Sequence, residues 1–566
     1  MRRHCALVVA ALFALCVAGT LDFAGSDAGL FGAARAADRP VYGGDWAENA
    51  KWGLLREVEV DKACTQMEID DLDINKKGAY FMVFIPNNTT SKDARYWGLI
   101  NGDTDLVNYC TSYLEITGGM KKAGYSADKP YLGRADANTS SLQTFTLLRD
   151  GTDHARWKTW ATSGTPDALV ESSRGSYHRE EVDNVTHLSI RSDVKNALGK
   201  GSKLLIYGKY KSTKPEPAMK EFTLTEDRTE FTIKGLNGSK DGAYCMFMAP
   251  NNKTDREVRY SVYANRDRED ENYVSVWHGV DNNHGPKEGG AVFAEGVTIG
   301  PLCARAEPKS SLTQHTWIAL DARNHMRFWC ETATGKWSNA RAYGGYHKKE
   351  LENIDTLTLR ADVKDGLAAG SRVVLYGAGA RPEPADADSV KSRTLEYRWF
   401  KEITLQDDTT DLEIEGFDLK ASGFLNMDLI PDNLTKGRKG HYWSYVNGDM
   451  DNMHYCDAHF DVQKGILCAI GGHLHPYYGW AYPQTSSHQP ALFMQDARGH
   501  VRSRGYGTCH VQGDMQAGKQ SICGRAFHHT RPVDTMRNLV VTADVKNGLG
   551  EGTRILLYGG HPVPEE

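Results

Sequence analysis

Apolar and polar residues alternate with a period of two along most of this 566-residue chain. That period marks a strand with one face buried. Two such runs, broken by Asp-rich turns, open at Val58 (VEVDKACTQMEIDDLD), at Phe222 (FTLTEDRTEFTIKGLN) and at Ile403 (ITLQDDTTDLEIEGFD). A third strand follows each time, GAYFMVFIPNN, GAYCMFMAPNN or GFLNMDLIPDN. Each ends in Pro and Asn, which stop a strand and start a loop. A fourth is ARYWGLINGD, VRYSVYANRD or GHYWSYVNGD. Later runs with a polar turn at their centre (Asp150-Gly151, Asp321 to Asn324, Asp496 to Gly499) read as hairpins.

The last segment of the set fixes the period of the chain. LSIRSDVKNALGKGSKLLIYG from Leu188, LTLRADVKDGLAAGSRVVLYG from Leu357 and LVVTADVKNGLGEGTRILLYG from Leu539 align without a gap over 21 residues, with eight positions identical in all three. The chain is therefore a tandem repeat of one unit of roughly 165 to 180 residues. About eight short strands per unit, with no helix-length amphipathic pattern, predict an all-β chain. The expected architecture is three tandem β-sandwich domains, jelly-roll-like, over residues 58–208, 222–377 and 403–560. The closing strand is expected beside the opening one. Between the units, 209–221 and 378–402 contain Pro-Glu-Pro and read as stiff, exposed linkers that hold the domains at restrained distances. Residues 37–57 form a polar lead-in and 561–566 a tail.

Composition adds an address. Arg2 and Arg3 precede an apolar run from Ala6 to Gly19, and Ala34-Arg35-Ala36 is a cleavage signal. Residues 1–36 thus read as a signal peptide of a secreted protein, periplasmic or extracellular. No later stretch reaches the roughly 20 apolar residues of a membrane span. The net charge of -6 gives no bulk drive toward nucleic acid or an anionic membrane. Nine cysteines follow the leader, and an oxidising compartment makes disulfides inside each repeat the expectation.

Candidate chemistry is sparse. Asn-Gly-Asp-x-Asp occurs twice and presents Asp103 and Asp105, then Asp449 and Asp451, hard oxygen donors of the kind Ca2+ takes. The competing reading is a polar turn after a strand, and no EF-hand spacing is present. Repeat three is rich in histidine and also holds Cys456, Cys468, Cys509 and Cys523. Imidazole and thiolate suit Zn2+ or Cu2+, yet no CxxC or HExxH spacing appears. Tyr96, Trp97, Tyr442 and Trp443 are expected mainly in the core. The segment Pro476 to Trp480 reads as an exposed aromatic loop. With His473 and His475 beside it, Tyr477, Tyr478 and Trp480 are the candidate ligand-binding residues, suited to stacking on a sugar ring. No nucleophile elbow, P-loop or Rossmann fingerprint appears.

The closing segment, together with the strand, Pro-Asn-Asn and Tyr-containing strand upstream of it, resembles a β-sandwich repeat domain of tailed-phage virion and tail-associated proteins. That resemblance implies a structural or surface-recognition module. The leader, the cysteines and the three copies favour an exported protein built from it. The expected function is non-catalytic surface recognition or assembly, with a glycan or a protein as partner, no cofactor beyond Ca2+, and a homo-oligomer within reach. The alternatives are a carbohydrate-active hydrolase or lyase with its site in repeat three, and a structural subunit of an extracellular or virion-like assembly.

Overall fold

The computed structural model describes residues 40–42, 50–117, 120–126, 129–150, 152–165, 169–211, 219–281, 291–334, 339–377, 382–463, 466–473, 475–509 and 521–563. The leader lies outside the described residues. Tyr42–Glu566 is one compact unit. It is all-β: its α-helices are single turns such as Ile74–Lys77, Gly238–Asp241 and Leu419–Ser422. No helix among the described residues is long and apolar enough to cross a membrane.

Each repeat divides its strands between two sheets. In repeat one, antiparallel pairing runs Ala50–Glu59, Lys203–Lys211, Ala79–Ile85, Leu142–Arg149, His154–Ser163, Val170–Glu181, Tyr109–Thr117, Met120–Ser126. A smaller sheet pairs Gln66–Ile69, Leu188–Ser192, Ala94–Ile100 and Tyr131–Ala135. Repeats two and three follow the same order, and the closing strand does lie beside the opening one. Each repeat has its own apolar core of alternate residues from both sheets, with Phe84, Tyr96 and Ile190 in repeat one.

The recurring closing segment has a backbone reason. Asn196, Asp365 and Asn547 sit at φ of 62°, 60° and 58°, and Gly201, Gly370 and Gly552 at 84°, 90° and 87°. Only Gly, Asn and Asp enter this left-handed region readily. The Asp of the Asp-Val-Lys triplet then accepts a backbone N–H from the fourth strand (Asp193 from Arg95, Asp362 from Arg259, Asp544 from His441, each 2.8 Å).

The large sheets do not stay apart. Strand Val390–Thr404 pairs with repeat two through Leu395↔Met219 and with repeat one through Lys51↔Arg398, so the three join in one 25-stranded sheet. Their outward faces bury one another in a fourth core that draws on all three repeats. Aromatic pairs cross every joint: Phe81 on Trp317 (4.6 Å), Phe247 on Phe424 (3.9 Å) and Trp52 on Tyr558 (4.9 Å). Strands Tyr109–Thr117, Tyr273–Asp281 and Tyr455–Gln463 each touch both of the others, so the contact closes on itself.

Three expectations change accordingly. The stretch 378–402 contains strands Glu383–Pro384 and Val390–Thr404 and forms part of the sheets rather than a spacer. The lead-in belongs to the fold from Ala50 onward, because Trp52 is drawn into the shared core. Cys64, Cys110, Cys245, Cys303, Cys330 and Cys456 are free thiols, not disulfides. They lie on separate strands whose packing needs no staple.

Hairpin turns make the joints. Arg323 of repeat two donates to Asn87 Oδ1 (3.3 Å) and Asn88 O (3.2 Å) of repeat one. Arg498 of repeat three donates likewise to Asn251 Oδ1 (3.3 Å) and Asn252 O (2.9 Å) of repeat two. The Pro-Asn-Asn corner that ends a strand is thus also a receptor for the next repeat. At the third joint the matching turn residue is Thr152, and the receptor carries Asp432 in place of the first Asn. Arg156 Nη2 reaches Ser486 O (2.9 Å) and Arg554 Nη1 reaches Arg149 O (2.9 Å) there. Asp432 is 5% exposed and its Oδ1 has no hydrogen-bond partner among the described residues. Burial, then the nearby carboxylates of Asp150, Asp408 and Asp153, push it up to about 7.

An acid whose folded-state value is raised costs stability once it ionises, so this joint weakens as pH climbs from about 4 through 7. Asp432→Asn is expected to be neutral at pH 4 and to stabilise by roughly 1–3 kcal/mol at pH 8. Urea unfolding at the two pH values checks this; an equal effect at both would contradict it.

Candidate functional site

The shared core encloses a cavity of about 80 Å3. The same sheet positions of all three repeats line it. The third strand supplies Phe81, Cys245 and Asn426, and the first hairpin strand supplies Thr146, Trp317 and Leu492. The closing strand supplies Tyr207, Tyr376 and Tyr558. The backbone is repeated while the chemistry is not: one position is a ring, a thiol or an amide according to the copy.

Cys245 and His315 meet in this cavity, with Sγ 3.3 Å from Nε2. A Cys–His pair suggests a nucleophile and its base. The surroundings argue otherwise. Burial holds His315 neutral, down to about 3, and pushes the Cys245 thiol well above its ordinary value. A thiolate–imidazolium pair needs an environment that favours both charges. Here Phe247 stacks on the imidazole at 4.9 Å and Trp317 and Trp329 stand edge-on to it. The pair is a hydrogen bond between neutral groups. Trp317 Nε1, Trp329 Nε1 and Tyr207 Oη have no hydrogen-bond partner among the described residues. At ~30 Å3 per water the space suits two or three waters or a very small neutral molecule. Beside it, Asp428 accepts from Tyr558 Oη (2.8 Å) and pairs with the buried His488 (2.8 Å).

The residues singled out from sequence lie elsewhere. Asp103 and Asp449 are each held by a neighbour in their own turn and by a His of a distant strand. Asp103 Oδ2 meets Asn108 (2.8 Å) and His178 (2.9 Å), and Asp449 meets His454 (2.7 Å) and His529 (3.1 Å). Asp105 and Asp451 cap the 3-10 turns that follow, accepting from Val107 N and Met453 N. Repeat two makes the same contact, His347 to Asp267 at 3.2 Å, without the Asn-Gly-Asp-x-Asp motif. This Asp–His pair, present in every copy, escaped the sequence reading; a His one or two residues beyond the last aromatic of strands Val170–Glu181, Asn339–His347 and Ser521–His529 was its signal.

Pro476 to Trp480 is not an exposed loop. Tyr477–Ala481 is a buried strand of the small sheet. Tyr478 Oη donates to Met427 O (2.8 Å) inside the repeat-three core, and Trp480 is covered by the Lys439 ammonium, 3.5 Å from its ring centre. Trp443 and Tyr482 pack against Tyr477 and Trp480 and stay half-buried. His475 lies over Trp443 at 6.1 Å. His473 ends strand Ile466–His473, and its side chain lies outside the described residues. As expected, Tyr96 and Tyr442 are fully buried, whereas Trp97 and Trp443, also expected in the core, are half-buried because they point to the other face of the same strands.

No protein-family model matches the chain, and no curated protein matches it. Among solved structures, the LG1-3 region of the laminin alpha2 chain aligns over 87% of this chain and 97% of its own, at 9% identity and a TM-score of 0.13. The CBM40 of the Ruminococcus gnavus IT-sialidase aligns over 27% and 90%, at 15% identity and a TM-score of 0.14. Mouse laminin alpha1 domains LG4-5 align over 62% and 98%, at 10% identity and a TM-score of 0.14. Likeness at that level carries no argument about this chain.

Burial raises Cys110 to about 11, Cys303 and Cys456 to about 12, and Cys245 and Cys330 further. Of the six described thiols, a water-soluble thiol reagent at pH 8 should label only the half-buried Cys64 in the native protein, and all of them once it is unfolded. Peptide mapping decides; labelling of native Cys245 at the Cys64 rate would contradict the neutral-pair reading.

Proposed function

We propose that this is an exported, non-catalytic recognition protein. In this reading each repeat is a β-sandwich domain of the jelly-roll kind, and the three act as one fixed body instead of beads on a string. The observation that supports it most is the direction of the large sheets. All three turn their broad outer faces inward, onto the shared core. The surfaces left for a partner are then the small sheets and the loops around them. The two pairs at the central cavity, Cys245–His315 and Asp428–His488, are each held by a hydrogen bond, which suits a supporting role.

Of the three small sheets, the third has an outer face suited to a sugar. Trp443 and Tyr482 keep part of their rings accessible, beside His441, His475 and Lys439. Aromatic faces take the C–H side of a pyranose while the polar neighbours bind its hydroxyls. A glycan is therefore the ligand class of this reading, with Trp443 and Tyr482 in the contact role that sequence reasoning gave to Tyr477, Tyr478 and Trp480.

A glycan array probed with the purified chain tests this. A binder is expected, weakened about tenfold or more by Trp443→Ala, in keeping with the roughly 1–3 kcal/mol that a stacking ring contributes. An array with no binder, or binding that Trp443→Ala leaves unchanged, would sink the glycan assignment. A second reading, a subunit of a larger extracellular assembly, follows from the phage-domain resemblance. Native mass spectrometry showing multiples of the 62.8 kDa chain would favour it.

A further inference from the structure

The three repeats build one corner in the same way, and repeat three changes a single ring in it. In each copy a hairpin-turn Asp holds an Arg on the adjoining strand: Asp150 with Arg156, Asp321 with Arg327 (2.7 Å) and Asp496 with Arg502 (2.9 Å). In each copy the His just before that strand packs on a ring of the next strand. The ring centres are 4.9 Å apart for His154 and Tyr177, 5.0 Å for His325 and Tyr346, and 5.0 Å for His500 and His528. The ring-centre spacing is constant to a tenth of an ångström, while the angle between the rings goes from 47° and 35° in the first two copies to 83° in the third. Where two copies place a phenol, the third places an imidazole.

That exchange collects metal-ligand atoms. A carboxylate oxygen of Asp496 and one ring nitrogen each of His500 and His528 lie within 4.8 Å of one another, the one such group among the described residues. His500 Nδ1 is 3.4 Å from Asp496 Oδ1. Ligand atoms around a tetrahedral zinc are roughly 3.3 Å apart, since the bonds are ~2.0–2.2 Å. The widest pair therefore needs to close by at most about 1.5 Å, within reach of imidazole rotation. Asp496 and His528 are buried, at 3% and 5% exposure, while His500 is half-buried and opens the corner to solvent. Cys456 Sγ stands 3.8 Å from His528 Nδ1, which leaves Nε2 as the nitrogen for a metal.

We propose that Asp496, His500 and His528 form a binding site for a borderline divalent cation, Zn2+ or Cu2+, present in repeat three alone. Two imidazoles and one carboxylate select against Ca2+ and Mg2+, which demand oxygen. Arg502 holds Asp496 Oδ2, while Oδ1 accepts the backbone N–H groups of Arg498 (2.9 Å) and His500 (3.0 Å), so a metal at Oδ1 has to share or displace those turn bonds. The guanidinium also lowers the attraction for a cation, so the affinity falls below that of a site with an unpaired carboxylate. This site is separate from the central cavity and from the glycan reading, and neither needs it.

Calorimetric titration of the chelator-treated full chain with Zn2+ is the test, with Co2+ as a spectroscopic substitute. One saturable equivalent is expected, with visible Co2+ absorption and a Zn2+-dependent rise in melting temperature. His528→Tyr restores the residue of the other two repeats, so it should fold and still weaken binding about 100-fold or more. His500→Gln, at the more open position, should do the same. Absence of saturable binding would overturn the site. So would binding that both variants leave intact, which would move the metal to other histidines.

Discussion

Everything in this fold follows from a sheet face that one repeat has no means to cover. The large sheet of each repeat is buried on both sides. Strand Ala243–Ala249, AYCMFMA, is buried at every position. Its alternate residues enter the repeat-two core and the shared core in turn. A lone repeat would leave Phe81, Phe247, Trp317 and Trp399 facing water, and burying each such ring is worth roughly 1.5–3 kcal/mol. Mutual burial solves this, and a head-to-tail contact repeated around a closed ring is how three like units achieve it. The Pro-Asn-Asn corner of one repeat takes the hairpin of the next. The ring closes when the hairpin of repeat one meets repeat three. That last joint lacks the turn arginine of the other two and is held instead by Arg156 and Arg554 together with the shared core.

Repetition of the backbone leaves the side chains free to diverge. The central positions hold a thiol and an imidazole from repeat two, an amide from repeat three and rings from repeat one. A homotrimer would have to place the same residue at all three. Fusion in one chain permits an interior that is symmetric in shape and asymmetric in chemistry. The same freedom lets one copy of the Asp–Arg corner exchange a tyrosine for His528.

The strands and hairpins were legible because they depend on local pattern. The hairpin around Asp321 to Asn324 and the Asn, Asp and Gly of the closing loop express backbone rules that need few neighbours. The shared core was harder to read. A strand buried on both faces loses its alternation, and AYCMFMA carried that signal without saying which neighbour covers it. The partner of Trp52 is Tyr558, some five hundred residues away in sequence, and no periodicity encodes such a distance. For the same reason Tyr477 to Trp480, with proline and glycine among its residues, resembled a loop, whereas Lys439 covers the Trp480 ring and the Tyr478 hydroxyl bonds to Met427 of another strand. The Asp–His pairs of Asp103, Asp267 and Asp449 join residues about 80 apart and emerge only when the three copies are superposed.

The central claim is that one core binds three repeats into one cooperative body, and amide hydrogen exchange of a Trp317→Ala variant tests it most directly. Trp317 belongs to repeat two but packs on Phe81 and Tyr207 of repeat one. Under sub-global opening, strands that share a core exchange together. The account predicts that strands Lys203–Lys211, Arg372–Gly377 and Arg554–Pro562 all exchange faster by a common factor. Acceleration confined to Arg372–Gly377, with the other two closing strands unchanged, would contradict it.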